Sequence, residues 1–299
     1  MISRNCPICN SSESQNVINS RNDPTVMSFD ELTNVFVGLR ADQVFFEYKR
    51  CNNCKLVYAP KYFSDTELSK MYMHMPPNLV GDEKEVVEKT HKGYSSYISK
   101  YTKGARSLIE LGADLGLVTG EVVSKTEISR GVLIEPNKDV QEDLHKSVGK
   151  KDTFKIVDYL SDVTNKENFD LCIAVHVVDH LLYPLEDLKR IRSLMNSEGQ
   201  IFIVVHNQKS FLARIMGKKW PPYCLQHPQI FDPSSIAKVL TAAGFSEVSV
   251  SRTTNWLGLN HSIITLLTLI HIPTRLLRFI PNIAIPVKLG NMIVRAHVN

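Results

Sequence analysis

From residue 105 onward the chain alternates short apolar runs with amphipathic stretches, and this pattern constrains the fold more than any other feature of its 299 residues. The runs "RSLIEL", "GVLIEP", "FKIVD", "FDLCIAVH" and "QIFIVVHN" read as strands, with helices expected at about 117–126, 137–148 and 185–195 between most of them. Four of these strands are nearly continuous in apolar residues, as strands are when both faces are covered. A helix over "DPSSIAKVLTAAGF", a strand "SEVSVSRTT" and a last strand "NMIVRAHV" extend the series. The fold class that follows is α/β: a doubly wound, mostly parallel, Rossmann-like sheet of seven strands.

Composition sets the outer bounds. Hydrophobic residues are 43% and charged residues 22% of the chain, which is ordinary for a globular protein. The net charge of +4 is too small to imply nucleic-acid binding. The opening "MISRNCPICN" lacks an apolar h-region, so a cytoplasmic protein with reduced thiols is expected. Residues 256–274 carry no Asp, Glu, Lys or Arg, but six polar residues interrupt the run and Pro273 ends it. A buried or interface-facing helix is favoured there over a membrane span.

Ahead of the alternating region lie two cysteine pairs, Cys6 with Cys9 and Cys51 with Cys54. Each Cys-x-x-Cys turn presents two thiolates from one knuckle, and two knuckles complete a tetrahedral Zn²⁺ site. Four thiolates leave no open position, so the metal is expected to be structural. This organisation predicts a zinc-ribbon-like module over 1–75, a linking helix over 76–104, and a main domain over 105–299 that carries an apolar helical insertion at 256–285. "SDTELSKMYMHM" reads as a short helix capped by Ser64 or Asp65, with Glu67 three residues after Ser64.

The stretch "SLIELGADLG" places Glu110 at a strand end, then Gly112, Asp114 and Gly116 in the turn before a helix. Glu135 ends the next strand and Asp158 the third, which outlines an adenosine pocket: Glu135 for the ribose hydroxyls, Asp158 for the adenine amino group. A dinucleotide pyrophosphate prefers the G-x-G-x-x-G turn. Here two carboxylates, Glu110 and Asp114, would repel a phosphate and suit an ammonium group. That favours S-adenosylmethionine (SAM) over NAD.

"IELGADLG" resembles motif I of class I SAM-dependent methyltransferases, and "FDLCIAVHVVDHLLYPLEDLKRIRSLMNSEGQIFIVVHN" resembles the segment that follows it there. "CLQHPQIFDPSSIAKVLTAAGF" and "RCNNCKLVYAP" are similar to the subfamily with an N-terminal zinc module that includes sugar C-methyltransferases, with Lys55 where glycine is usual. The resemblance implies that Glu110, Gly112 and Gly116 line the methionine and ribose side, and that His176 borders the cofactor. Asp114 replaces the middle glycine of the motif, and Asp179 stands where Glu is commoner before His180. His180 and His227 occupy positions resembling the histidines implicated in that subfamily, and Tyr223 neighbours the second. They are the candidate catalytic residues, histidine being suited to take a proton near neutrality.

The expected function is methyl transfer to a small-molecule acceptor such as a sugar nucleotide. A methyltransferase acting on a lipid-linked acceptor, with peripheral membrane contact through 256–285, and a non-catalytic scaffold of the same fold are the alternatives. An NAD dehydrogenase is a distant fourth. Arg214, Lys218, Lys219, Trp220 and Tyr223 suggest either a basic-aromatic loop that grips a diphosphate or a solvated charged loop.

Overall fold

The computed structural model describes residues 1–36, 44–73, 84–149, 152–164, 167–258, 283–288 and 290–298. The N-terminal part contains β1 (Ile2–Ser3), β2 (Ser14–Ile18), α1 (Phe29–Phe36), β3 (Tyr48–Cys51), β4 (Val57–Tyr58), β5 (Lys61–Tyr62) and α2 (Asp65–Met73). The capping box at α2 forms as its residues dictate: the Ser64 N–H donates to Glu67 Oε2 at 2.8 Å and the Glu67 N–H returns to Ser64 Oγ at 3.4 Å. Helix α3 (Lys84–Tyr101) leads into the main sheet.

That sheet is built from β6 (Ser107–Leu111), α4 (Leu117–Lys125), β7 (Arg130–Ile134), α5 (Gln141–Val148), β8 (Phe154–Val157), β9 (Phe169–Val175), α6 (Pro184–Ser193) and β10 (Met195–His206). Helix α7 (Phe211–Met216), β11 (Gln229–Ile230), α8 (Pro233–Ala242) and β12 (Phe245–Arg252) follow, then β13 (Asn255–Gly258), β14 (Ala284–Val287) and β15 (Asn291–Val298). The seven strands lie in the order β12-β15-β10-β9-β6-β7-β8. Strands β6 to β10 pair in parallel, and β15 runs antiparallel between β10 and β12. The seven-stranded, mostly parallel sheet is thus the one the apolar runs predict. Its last strand inserts between β10 and β12 and is covered on both faces, with Met292 and Val294 in one core cluster and Ile293 in the other.

The chain winds from β6 outward to β8 and returns to β9 on the other side of β6. The strand order therefore reverses between β6 and β9, and the crevice beyond their carboxyl ends is where such sheets bind ligands. Residues 112–116 and 176–180 open from those two strand ends.

The region after β12 departs from the expected helices at its edges. Asn255–Gly258 and Ala284–Val287 form an antiparallel ribbon, Asn255 opposite Val287 and Gly258 opposite Ala284. β-branched and aromatic side chains at Trp256, Ile285 and Val287 favour extended pairing. The remainder of the insertion expected at 256–285 lies outside the described residues. Among those described, no helix is long and apolar enough to cross a membrane.

The N-terminal strands do not stand apart from the main domain. β11 joins β4, β3 and β2 in one four-stranded sheet. Cys6, Cys51, Cys54, Leu56 and Tyr58 share a buried cluster with Ile236, Val239 and Leu240 of α8. The Arg4 guanidinium donates to the carbonyls of Ala59 and Leu182, each at 2.9 Å, and to that of Pro228. A second buried cluster is built mainly from N-terminal residues such as Phe36, Phe45, Tyr48, Tyr62 and Phe63, and the main domain completes it with Leu182, Ala213, Trp220, Leu225 and Ile230.

Candidate functional site

Glu110 ends β6 and is almost wholly buried, accepting a hydrogen bond from Thr119 Oγ1 of α4. Burial, with Glu135 and Asp114 nearby, raises its pKa to about 8, although the Thr119 bond works the other way. The turn after it holds three left-handed residues: Gly112 and Gly116 at φ +68° and Asp114 at φ +48°. A Cβ on Gly112 would meet Val177 at 3.0 Å, and one on Gly116 would run into Ser147 and Leu144 of α5. Gly116 is therefore fixed by helix packing as well as by backbone conformation.

Glu135 follows β7. Its Oε2 accepts the Asp114 N–H at 2.7 Å and its Oε1 the Asn137 N–H at 2.9 Å. Burial raises its pKa, opposed by those two backbone donors. Each carboxylate oxygen keeps a second lone pair, so the side chain retains acceptor capacity for a ligand. Asp158, after β8, is half exposed and paired with Lys138, which lowers its pKa. Glu110, the 112–116 turn and Glu135 form one connected arrangement, with Asp158 at its outer end bonded to Gln141 Nε2 at 3.4 Å, itself bonded to the Glu135 carbonyl at 3.0 Å.

Across the switch point, four imidazoles surround a buried aspartate. His176 follows β9 at φ +53°, and its ring lies 4.8 Å from that of His206 at the end of β10. Asn291 of β15 ties the two, accepting from His206 Nδ1 at 2.9 Å and donating to His176 Nε2 at 3.2 Å. His180 and His227 meet Nε2 to Nε2 at 3.0 Å. His180 Nδ1 contacts the Tyr72 hydroxyl at 3.1 Å, and His227 Nδ1 the Pro222 carbonyl at 2.7 Å. Asp179 lies among them, its Oδ2 3.4 Å from the His206 N–H and 3.9 Å from His227 Nε2.

The electrostatics divide the labour. Burial disfavours the charged form of Asp179, but His227 and the other three imidazoles outweigh it and hold the carboxyl at about 2. Burial also works against charge on His227, yet Cys224, Asp179 and the Pro222 carbonyl raise its pKa to about 9. His180 falls to about 3 through burial and the charge of His227, and His206 to about 4 through burial. A single proton thus resides on His227 and the others stay neutral.

His180 and His227, candidates from the sequence, are in direct contact. Tyr223 is placed otherwise: its ring packs against Phe45, Tyr48 and Trp220 at centroid distances of 5.8, 5.4 and 5.4 Å. No local pattern marks Tyr72, His206 or Asn291 as members of the cluster, since they come from α2, β10 and β15. Asp179 is legible only as a variant before His180. The basic-aromatic loop also divides, with Trp220 buried at 2% exposure while Arg214, Lys218 and Lys219 face solvent.

At the N-terminal end the four cysteines converge. Cys6 Sγ lies 3.3 Å from Cys54 Sγ and Cys9 Sγ 3.4 Å from Cys51 Sγ, with all four sulfurs within 4.8 Å of one another and none in a disulfide. Zn–S bonds of about 2.3 Å give tetrahedral edges of about 3.8 Å, so the donor set fits a tetrahedral ion. Each knuckle turns through a left-handed residue directly after its second cysteine, Asn10 at φ +54° and Lys55 at φ +70°. The contact between Cys6 and Cys54 lowers the pKa of Cys54 and raises that of Cys6.

A family model described as a methyltransferase domain matches residues 87–250. The chain belongs to that family. None of the curated proteins matches it. Among solved structures, a SAM-dependent methyltransferase from Archaeoglobus fulgidus superposes with a TM-score of 0.50 at 18% identity, covering 72% of this chain and 97% of its own. A chain of the Haloferax volcanii complex between the Trm112 methyltransferase activator and a methyltransferase gives 0.52 at 10% identity, covering 72% and 93%. These likenesses establish the fold. The family makes this chain a methyltransferase, and the fold is the one those structures share. The matched region contains both sides of the switch point and stops short of the cysteines.

Proposed function

We propose that the enzyme transfers a methyl group to a small, hydroxyl-bearing acceptor of the sugar-nucleotide class, with His180 and His227 handling the acceptor's proton. The observation that carries this reading is the meeting of these two imidazoles beside the strand ends that flank the switch point. When bound, S-adenosylmethionine supplies an electrophilic methyl group for in-line displacement, a reaction that asks the protein chiefly for position and orientation. Glu135 would accept from the ribose hydroxyls with its free lone pairs, and Asp158 would address adenine. Glu110 and Asp114 would face the ammonium end. Gly112 and Gly116 would give the backbone its close approach, and His176 would border the reacting end. His227 and His180 form a wire that ends on Tyr72, along which a proton can leave the acceptor.

The cysteine cluster is read as a structural Zn²⁺ site made by Cys6, Cys9, Cys51 and Cys54. Its part in the reaction is indirect. Tyr48, three residues before Cys51 on β3, donates its hydroxyl to the His227 carbonyl at 2.6 Å, and Tyr62 donates to that of Leu225. The module thereby buttresses the segment that presents His227.

Calorimetry with S-adenosylhomocysteine tests the cofactor side, and micromolar binding is expected. A methyl-transfer assay with radiolabelled SAM and a panel of nucleotide sugars tests the acceptor. No binding at millimolar S-adenosylhomocysteine would sink the residue assignments. Binding without turnover on any nucleotide sugar would sink the acceptor class alone.

A further inference from the structure

Helix α7 and the turn after it present an outward face that the catalytic reading leaves unused. Phe211 and Ile215, one turn apart, are 66% and 67% exposed, while Ala213 between them is buried in the cluster that includes Trp220, Leu225 and Leu182. Arg214, Lys218 and Lys219 are exposed around them. Positions 211, 214 and 215 fall on one side of α7 by the i, i+3, i+4 rule, so Phe211, Arg214 and Ile215 share a face, and Lys218 and Lys219 follow in the 3-10 turn Gly217–Lys219 directly after it. Between Glu198 and Asp232 the sequence contains no acidic residue. Lys209, the remaining cation of the stretch, is paired with Asp232 at 2.7 Å and does not contribute.

Large exposed apolar side chains flanked by cations that have no ion pair among the described residues are poorly explained by solvation alone, which would leave two large apolar side chains in water without return. They match a bilayer interface, where Phe and Ile enter the acyl boundary and Arg and Lys meet anionic headgroups. A flat phosphate ligand would use the cations and leave Phe211 and Ile215 idle. The face also has a position: α7 begins five residues after His206, at the carboxyl edge of the sheet where the imidazole cluster lies.

We propose that α7 is a membrane foot, docking the methyltransferase on an anionic bilayer with its catalytic edge toward the headgroups. Docking in this sense is peripheral, since a face of two apolar residues and three cations gives reversible, salt-sensitive binding. It makes accessible an acceptor held at the bilayer surface, and it does not depend on which residues hold the cofactor.

The experiment is co-sedimentation of the full-length protein with vesicles of one part phosphatidylglycerol to two parts phosphatidylcholine, and with phosphatidylcholine alone. Binding to the anionic vesicles, lost in high salt, is expected. Lys218→Glu/Lys219→Glu should weaken it by about tenfold or more, and Phe211→Ser/Ile215→Ser should weaken it several-fold. All five side chains are at the surface, so both variants should fold, and calorimetry with S-adenosylhomocysteine should give wild-type binding in each. Equal partitioning of the wild type to the two vesicle types, or variants that sediment like the wild type, would overturn the proposal. Either result is independent of the calorimetric one, so failure of the membrane foot and failure of the cofactor assignments are told apart.

Discussion

Glu135 holds the backbone of Asp114. Its Oε2 takes the Asp114 N–H at 2.7 Å while Oε1 takes that of Asn137 at 2.9 Å, so one carboxylate from the end of the second strand pins both the 112–116 turn and the turn beside it. An aspartate in a turn of small residues is thus tolerated by its main chain, which sits at φ +48° with a charge-assisted bond to stabilise it. The side chain stands near two other carboxyls, Glu110 and Glu135, both of whose pKa values it raises.

Replacing Asp114 by glycine is therefore expected to act in opposite senses on stability and on binding. Relief of the left-handed strain and of the like-charge repulsion should stabilise the ligand-free protein by about 0.5–1 kcal/mol. If the Asp114 carboxylate faces the ammonium as proposed, its loss should weaken S-adenosylhomocysteine binding several-fold. Thermal melts and calorimetry on one preparation measure both, and tighter binding by the variant would show that the side chain merely crowds the turn.

Glu110 makes the ligand-free protein pH-sensitive. Its folded pKa of about 8 lies above the ordinary carboxylate value of 4.5. The protonated form is thus favoured by folding: its stabilising contribution is complete below about 4.5 and is lost as pH rises toward 8. Glu110→Gln keeps a partner for Thr119 without the titration. Between pH 5 and 9 the variant's unfolding free energy should fall less steeply than the wild type's, the difference reaching on the order of a few kcal/mol. Parallel denaturant titrations across that range would refute this if the two curves ran together.

Chelation should separate the two halves of the site. If zinc holds Cys6, Cys9, Cys51 and Cys54 together, removing it, or Cys51→Ser, loosens β3 and with it the Tyr48 bond to the His227 carbonyl. A melting temperature lower by several degrees is expected, together with loss of turnover. Binding of S-adenosylhomocysteine should largely persist, because β6, β7 and β8 pair within the main sheet and not with β3 or β4. Elemental analysis should show one zinc per chain in the untreated protein.

Lys55 occupies the left-handed position of the second knuckle, where the resembling sequences have glycine. Lys55→Gly relieves about 1–2 kcal/mol of αL strain and costs about 0.5–1 kcal/mol of unfolded-state entropy. It also gives up the exposed bond from Lys55 Nζ to the Asn52 carbonyl, 2.5 Å. Net stabilisation of up to about 1 kcal/mol is expected by chemical denaturation, with zinc content unchanged.

The distribution of legible and hidden features follows contact range. Strands β6 to β10 and their helices announce themselves because burial on both faces writes an apolar run within five to eight residues. The cysteine knuckles and the Glu67 capping box are equally local. The imidazole cluster is not: Tyr72 reaches His180 across 108 residues, and Tyr48 reaches His227 across 179. A histidine at the end of an apolar strand, as at 176 and 206, and the Asp179-His180 pair after β9 are its local traces. Tyr223 is a candidate by its proximity to His227 in sequence, and its ring packs against Phe45, Tyr48 and Trp220, contacts of long range that the local pattern does not carry. The ribbon at 255–258 and 284–287 was hidden because an apolar run flanked by β-branched residues has no period that distinguishes helix from strand.

The histidine pair makes the last prediction. His227 is raised to about 9 and His180 lowered to about 3, so near neutrality the pair carries one proton, on His227. His227 then donates through Nδ1 to the Pro222 carbonyl and through Nε2 to His180, leaving the pair without a free lone pair along that bond. To accept a proton from the acceptor it must first lose its own. Turnover should therefore rise with pH and level off near 9, following the macroscopic pKa of the pair and not that of free imidazole near 6.5. The same titration affects folding in the opposite direction: a raised histidine stabilises the fold fully below about 6.5, and that contribution disappears as pH climbs through about 9. Asp179→Asn removes the charge that helps keep His227 protonated, and should shift the rate profile to lower pH while lowering the melting temperature. A profile that stays in place in Asp179→Asn, or one that is flat from pH 6 to 10 in the wild type, would remove proton transfer from the role of these two residues.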